Sequence, residues 1–138
     1  MSAAIFLDTN VLIYAALTEP KDIKKKLAAR KLLDRDDAGL SVQVLQEFYV
    51  QTTRPTRQNG LSHGMACGLI EAWTRFDVQP MTLDVLMAAL DIKQRHGLSY
   101  WDSAIVAAAL ALGCRELYTE DMQHGLVING LRLINPFL

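Results

Sequence analysis

At 138 residues, 51% apolar and 21% charged, the chain is long enough for one domain with a sizeable core and too apolar for a disordered tail. Its formal net charge of −1 excludes binding of nucleic acid by bulk phosphate attraction, so such contact needs a local basic patch or a bound metal ion. The longest apolar stretch, Ala104 to Gly113, is too short to cross a bilayer, and the opening MSAAIFLDTN lacks the basic start of a secretory leader, so a cytoplasmic protein is expected.

Ala3 to Leu7 is an apolar run ending at Asp8 and reads as a buried strand. Val11 to Leu17 reads as a short helix halted ahead of Glu19-Pro20, because a residue before proline is pushed out of the α region. Lys21 to Asp37 mixes Ile23, Leu27 and Leu33 with Lys24, Lys25, Lys26, Arg30 and Arg35, the pattern of an amphipathic helix with a basic outer face. Gly39-Leu40-Ser41 reads as a turn with room for a short strand. Ser41 then stands as N-cap of a helix over Val42 to Thr53, which Arg54-Pro55 stops.

After the loop Gln58-Asn59-Gly60, Ser62 to Arg75 is a further helix carrying Leu69, Ile70 and Trp73, and Phe76 to Pro80 alternates like a strand. Thr82 to His96 is a helix ended by Gly97, with Leu83, Leu86, Met87, Leu90 and Ile92 as its expected apolar side. Ser99 to Leu112 is almost wholly apolar and belongs in the core. Glu116 to Thr119 and Leu131 to Ile134 are the last strands. Short strands alternating with helices predict an α/β protein with a parallel sheet. Cys67 and Cys114, far apart and in apolar surroundings, read as two reduced, buried thiols, and Trp73 and Trp101 read as core residues rather than base-stacking platforms.

Four carboxylates fall where such a sheet collects ligands, at the carboxyl ends of strands and at helix starts. Asp8 follows the first strand, Glu47 lies inside the third helix, Asp102 opens the apolar helix and Asp121 follows the fourth strand. Hard oxygen ligands from separate segments suit magnesium, which can generate hydroxide from water and offset charge on a phosphate under attack. Each position also has a plain structural reading. Asp8 would N-cap the next helix, Asp102 stands at a capping-box distance from Ser99, Glu47 shares a helical stripe with Gln43 and Gln51, and Asp121 would cap the turn at Met122 to Gly125.

Taken in order, four segments resemble the PIN-domain nucleases, in particular the VapC-type toxins of toxin–antitoxin pairs. They are Phe6 to Tyr14, Ser41 to Val50, Tyr100 to Ile105 and Leu117 to Gly125, and together they span nearly the whole chain. The resemblance implies a PIN-like fold over residues 1–138, a central parallel sheet flanked by helices. It also implies endonucleolytic cleavage of RNA with Mg²⁺ or Mn²⁺, a homodimer, and an antitoxin that blocks the site. Asp8, Glu47, Asp102 and Asp121 become the catalytic metal ligands, and Asn10 and Thr119 would orient them by hydrogen bonds. Glu120 directly precedes Asp121 in the fourth motif, leaving open which of the two approaches the metal, although alternation out of the strand favours Asp121.

Lys24, Lys25, Arg30 and Arg54 are candidate phosphate contacts, with a solvated helix face as the competing reading of the lysines. Two other functions stay open at this point. One is a PIN-fold nuclease of RNA processing outside any toxin–antitoxin pair; the other is a module that binds RNA or a partner without catalysis.

Overall fold

The computed structural model describes residues 3–138. The reading of the first residues as free of a leader rests partly on Met1 and Ser2, which lie outside the described residues. Among the described residues, six strands, β1 (Ile5–Leu7), β2 (Ala38–Ser41), β3 (Asp77–Gln79), β4 (Glu116–Tyr118), β5 (Val127–Ile128) and β6 (Leu131–Ile134), form one sheet in the order β3-β2-β1-β4-β6-β5. Every neighbouring pair is parallel except β5 with β6. Helices α1 (Thr9–Ala16), α2 (Ile23–Leu33), α3 (Val42–Thr52), α4 (His63–Trp73), α5 (Leu83–His96) and α6 (Tyr100–Ala111) flank it, with a 3₁₀ turn at Pro20–Asp22 ahead of α2. This is the expected α/β class. None of these helices is long and apolar enough to cross a membrane.

The helix ends follow local chemistry. Ser41, Ser62, Thr82 and Ser99 each sit at an N-cap and accept a backbone N–H three residues on, satisfying donors that the first turn leaves unpaired. Gly97 ends α5 at φ 69°, a left-handed conformation that glycine adopts without a Cβ clash. The sheet core is continuous: Phe6, Leu7, Leu40, Leu117 and Leu133 are fully buried, and Ser103 to Ala109 of α6 lies buried along its whole length.

Several expectations are corrected. Gly39 lies in a buried central strand, so of the turn and the short strand expected at Gly39 to Ser41 only the strand is present; a Cβ there would come within 2.7 Å of Leu112 Cδ1 and 2.9 Å of Ala3 Cβ, so close packing requires the glycine. Ile23 and Leu27 point into solvent, and α2 docks through Ala29 and Leu33. On α5 the buried side is Val85, Ala89 and Ile92, while Leu83, Met87 and Leu90 are exposed. Cys114 is buried but Cys67 is exposed, because α4 docks through Ala66 and Trp73 on a different face. Trp73 packs edge-on against Phe48 in the core, whereas Trp101 is 62% exposed. The strand β5 was not expected at all.

Candidate active site

The chain leaves β1 toward β2 on one side and is joined by β4 on the other, so a crevice opens beyond the carboxyl ends of these two central strands. Asp8 is the first residue past β1. It occupies the N-cap position of α1, its backbone N–H donates to Tyr118 O at 3.0 Å, and its Oδ1 accepts from Thr9 N at 2.7 Å. Its Oδ2 accepts from the Thr119 hydroxyl, just past β4, at 2.8 Å. Asp8 is therefore a helix cap and a cavity wall at once, since a strand that runs straight into a helix puts the cap at the sheet edge.

Glu47 reaches the same place from α3. Its Oε2 accepts from the Thr9 hydroxyl at 2.8 Å and its Oε1 from Gln43 Nε2 at 3.0 Å. These two donors and partial burial set it apart from a solvated helix face. Asp102, in the first turn of α6, is half-buried, and its backbone N–H donates to the capping Ser99 hydroxyl at 3.1 Å. Asp121 is exposed at the rim, where its Oδ2 accepts from Asn10 Nδ2 at 3.0 Å and its backbone N–H donates to Thr119 Oγ1 at 3.2 Å. All four carboxylates line one small cavity of about 90 Å³, and no lysine or arginine lines it among the described residues.

The electrostatics follow from that placement. Burial pushes the Asp8 carboxyl up to about 7, with the charges of Asp121 and Glu47 adding to the effect against the hydrogen bonds from Thr119 and Thr9. Asp102 is also raised, first by burial and then by the charge of Asp121. Glu120 behaves differently. It turns away from the cavity to the Lys25 ammonium at 2.6 Å and the Tyr14 hydroxyl at 2.6 Å. Partial burial pushes its carboxyl up, but these two hydrogen bonds together outweigh burial and hold it below the usual range.

A divalent cation would relieve the like-charge crowding in this cavity, and the donors are the hard oxygens that Mg²⁺ and Mn²⁺ take. Among the described residues no three His, Cys, Asp or Glu side chains stand close enough together to hold a bare ion, and Thr9, Gln43, Thr119 and Asn10 each hold an oxygen of a cavity carboxylate. Magnesium usually keeps several waters and touches only one or two carboxylates, so the hard oxygen donors of this cavity match it in chemistry. On that ground the residues fit such a group.

The candidate phosphate contacts are spread out. Lys25 is committed to Glu120, and Arg30 Nε donates to Ala15 O at 3.2 Å, closing the end of α1. Lys24 is exposed on α2. Arg54 lines a groove that shares Glu47, Gln51 and Trp101 with the acidic cavity. Sequence reasoning missed Thr9 and Gln43, which hold Glu47, and Trp101, which forms part of the cavity wall.

The family model of the PIN domain matches residues 5–125. No curated protein matches the chain. Among solved structures, a toxin–antitoxin complex from Klebsiella pneumoniae is similar at a TM-score of 0.71 and 20% identity, over 98% of each chain. The sarcin–ricin-loop-cleaving toxin VapC20 of Mycobacterium tuberculosis is similar at a TM-score of 0.65 and 20% identity, over 86% of this chain and 92% of that one. A DNA-bound VapBC from Salmonella typhimurium gives a TM-score of 0.65 and 20% identity, over 95% of this chain and 96% of that one.

Proposed function

Because the chain belongs to the PIN domain family, we propose that it is a metal-dependent endoribonuclease, the toxin of a VapBC-type toxin–antitoxin pair, hydrolysing RNA phosphodiester bonds in the acidic cavity. One observation carries this reading: Asp8, Glu47, Asp102 and Asp121, drawn from four separate segments, line one cavity that no lysine or arginine among the described residues neutralises. Carboxylates that face one cavity without counter-charge cost folding energy, as the raised carboxyls of Asp8 and Asp102 reflect, and a site that tolerates the cost is a place for a cation.

One or two of Asp8, Glu47, Asp102 and Asp121 would hold Mg²⁺ directly and the others through its waters, with Mn²⁺ as substitute. When bound, the ion supplies positive charge against the phosphate and a more acidic water at neutral pH. The protein's own part is orientation. Thr119 and Thr9 N–H fix both oxygens of Asp8, Thr9 Oγ1 and Gln43 fix Glu47, and Asn10 holds Asp121. Such hydrogen bonds to carboxylates keep ligand atoms in place when the ion arrives. Arg54 stands beside Glu47, where it would meet a phosphate of the same strand. The similarity to toxin–antitoxin complexes supports an antitoxin partner, and a cytoplasmic homodimer is the working state that goes with this reading. Exposed Leu83, Met87 and Leu90 on α5 offer an apolar surface for pairing of copies.

The test is incubation of total RNA with purified protein in Mg²⁺ and in EDTA, beside Asp102→Asn. Cleavage that disappears with the metal and with the variant supports the reading. Absence of cleavage by the parent protein in Mg²⁺ and Mn²⁺ refutes it, and a partner gene adjoining this one separates a toxin from a processing enzyme.

A further inference from the structure

We propose that the groove beside the acidic cavity is a subsite for one unpaired nucleotide of single-stranded RNA, with the Trp101 indole as its stacking platform and Arg54 as its phosphate contact. The proposal takes its substrate class from the nuclease reading above and deepens it.

The groove has a volume of about 480 Å³, inside the range of roughly 300–1,000 Å³ typical of small-molecule sites. It is continuous with the cavity through Glu47, Gln51 and Trp101. Trp101 is 62% exposed and directly precedes Asp102 in the chain, so a base lying on the indole is one residue from a cavity carboxylate.

Gln43 supplies a second, independent sign of a ligand. It is only 4% exposed, and its Nε2 donates to Glu47 Oε1 at 3.0 Å and to Trp101 O at 3.2 Å. Its Oε1 is buried and has no donor among the described residues. A buried acceptor without a partner is uncommon, and the Gln43 side chain that carries it lines the groove, where a bound donor would meet it. The amino and ring N–H groups of a nucleobase are such donors. The amides of Gln46 and Gln51 line the same wall, and Arg54 pairs with no carboxylate among the described residues.

An indole, planar amides and an unpaired guanidinium together offer a nucleotide a stacking face, hydrogen-bond partners and a phosphate contact. A base in a duplex keeps its faces stacked on its neighbours, so the platform selects an unpaired strand.

The experiment measures binding, apart from cleavage. In a common Asp8→Asn, Asp102→Asn background with Mg²⁺, a labelled short single-stranded RNA of mixed sequence is titrated against Trp101, Trp101→Phe, Trp101→Ala and Arg54→Gln proteins. Trp101→Ala is expected to weaken binding roughly 5- to 150-fold, the equivalent of about 1–3 kcal/mol for a stacked base, while Trp101→Phe retains most of it. Arg54→Gln is expected to reduce the slope of log affinity against log salt by about 0.7. RNA should also quench the tryptophan emission of the background protein and leave that of Trp101→Ala unchanged. A duplex of the same sequence should do neither.

Unchanged RNA affinity in Trp101→Ala overturns the subsite even if the parent enzyme cleaves RNA. Loss of antitoxin capture by Trp101→Ala with RNA affinity intact likewise assigns the indole to a protein contact and overturns it. Binding that depends on Trp101, in a protein whose parent form cuts nothing, keeps the subsite and rejects the nuclease reading.

Discussion

The Thr119 hydroxyl donates to Asp8 Oδ2 at 2.8 Å, joining residues 111 apart in the chain across the crevice between β1 and β4. The same hydroxyl oxygen accepts from Asp121 N at 3.2 Å. Asn10 makes the reciprocal tie from the β1 side, donating to Asp121 Oδ2 and accepting from Glu120 N. Two short polar side chains thus latch both loops that carry the central carboxylates.

Removing the latch should loosen the fold and the site together. Thr119→Val keeps the buried shape but leaves a buried carboxylate oxygen without its donor, which costs about 1–3 kcal/mol. Urea unfolding is expected to show that loss for Thr119→Val and little of it for Thr119→Ser, which retains a hydroxyl. Equal stability of Thr119→Val and the parent protein would remove the structural role given to this hydrogen bond.

The raised carboxyl of Asp8 makes stability depend on pH in a definite direction. Between the ordinary carboxylate value of 3.8 and the folded value of about 7, the folded protein binds a proton that the unfolded chain has released. Stability attributable to Asp8 is therefore full below the lower value and declines as pH rises toward 7. Asp8→Asn abolishes the declining part. In EDTA at pH 8 the variant is expected to be more stable than the parent by on the order of 2 kcal/mol, with the difference shrinking toward pH 4. The same variant should lose cleavage. A parent protein that is the more stable of the two at pH 8 would show that Asp8 is not held near neutrality by burial.

Much of this site is visible in the chain before folding, because its carboxylates sit at places marked by local signals. Asp8 ends an apolar run, Asp102 follows a capping serine, and Asp121 follows a short strand. What local signals do not reveal is which side of a helix faces inward when apolar residues surround it. On α5, Leu83, Met87 and Leu90 are the larger side chains, yet Val85 and Ala89 face inward, because smaller residues let this helix lie close against the alanine-rich α6. Trp101 is obscured for a related reason. The buried run Ser103 to Ala109 gives it apolar neighbours in sequence that say nothing about a residue in the first turn. The two-residue strand β5 is too short for alternation to register, and it exists because Val127 and Ile128 can pair with β6.

Divalent metal should stabilise the folded protein more than the unfolded chain. At a Mg²⁺ concentration 100 times its dissociation constant, the gain is about 2.7 kcal/mol, visible as a rise in unfolding temperature over EDTA. Asp8→Asn and Asp121→Asn should blunt that rise, whereas Lys24→Gln, an exposed position of α2 outside the cavity lining, should not. A thermal response equal in parent and Asp8→Asn proteins would place the ion elsewhere.

The exposed apolar residues of α5 bear on assembly. Leu83, Met87 and Leu90 recur at helical spacing along one solvent-facing side. Leu83→Glu with Leu90→Glu puts charges into that side without touching the acidic cavity. If copies pair through it, light scattering should give a dimer mass for the parent protein and a monomer mass for the double variant, both with unchanged circular dichroism. A dimer that survives both substitutions assigns the contact to another face.

Neighbouring Glu120 and Asp121 should behave oppositely, and the contrast isolates chemistry from scaffolding. Glu120 is held by Lys25 and Tyr14 outside the cavity, an ion pair exposed enough that its loss costs at most about 1 kcal/mol. Asp121 has one oxygen on Asn10 and lines the cavity with Asp8 and Asp102. Glu120→Gln is therefore expected to lower stability slightly and leave the rate of RNA cleavage near that of the parent. Asp121→Asn, which keeps the shape and removes the charge, is expected to lower that rate by a factor on the order of 100 while leaving the fold intact, as loss of about 2.7 kcal/mol of transition-state stabilisation requires. Rates for both variants under saturating Mg²⁺ decide the matter. If Glu120→Gln is the slower of the two, the cavity carboxylate has been assigned to the wrong residue of the pair.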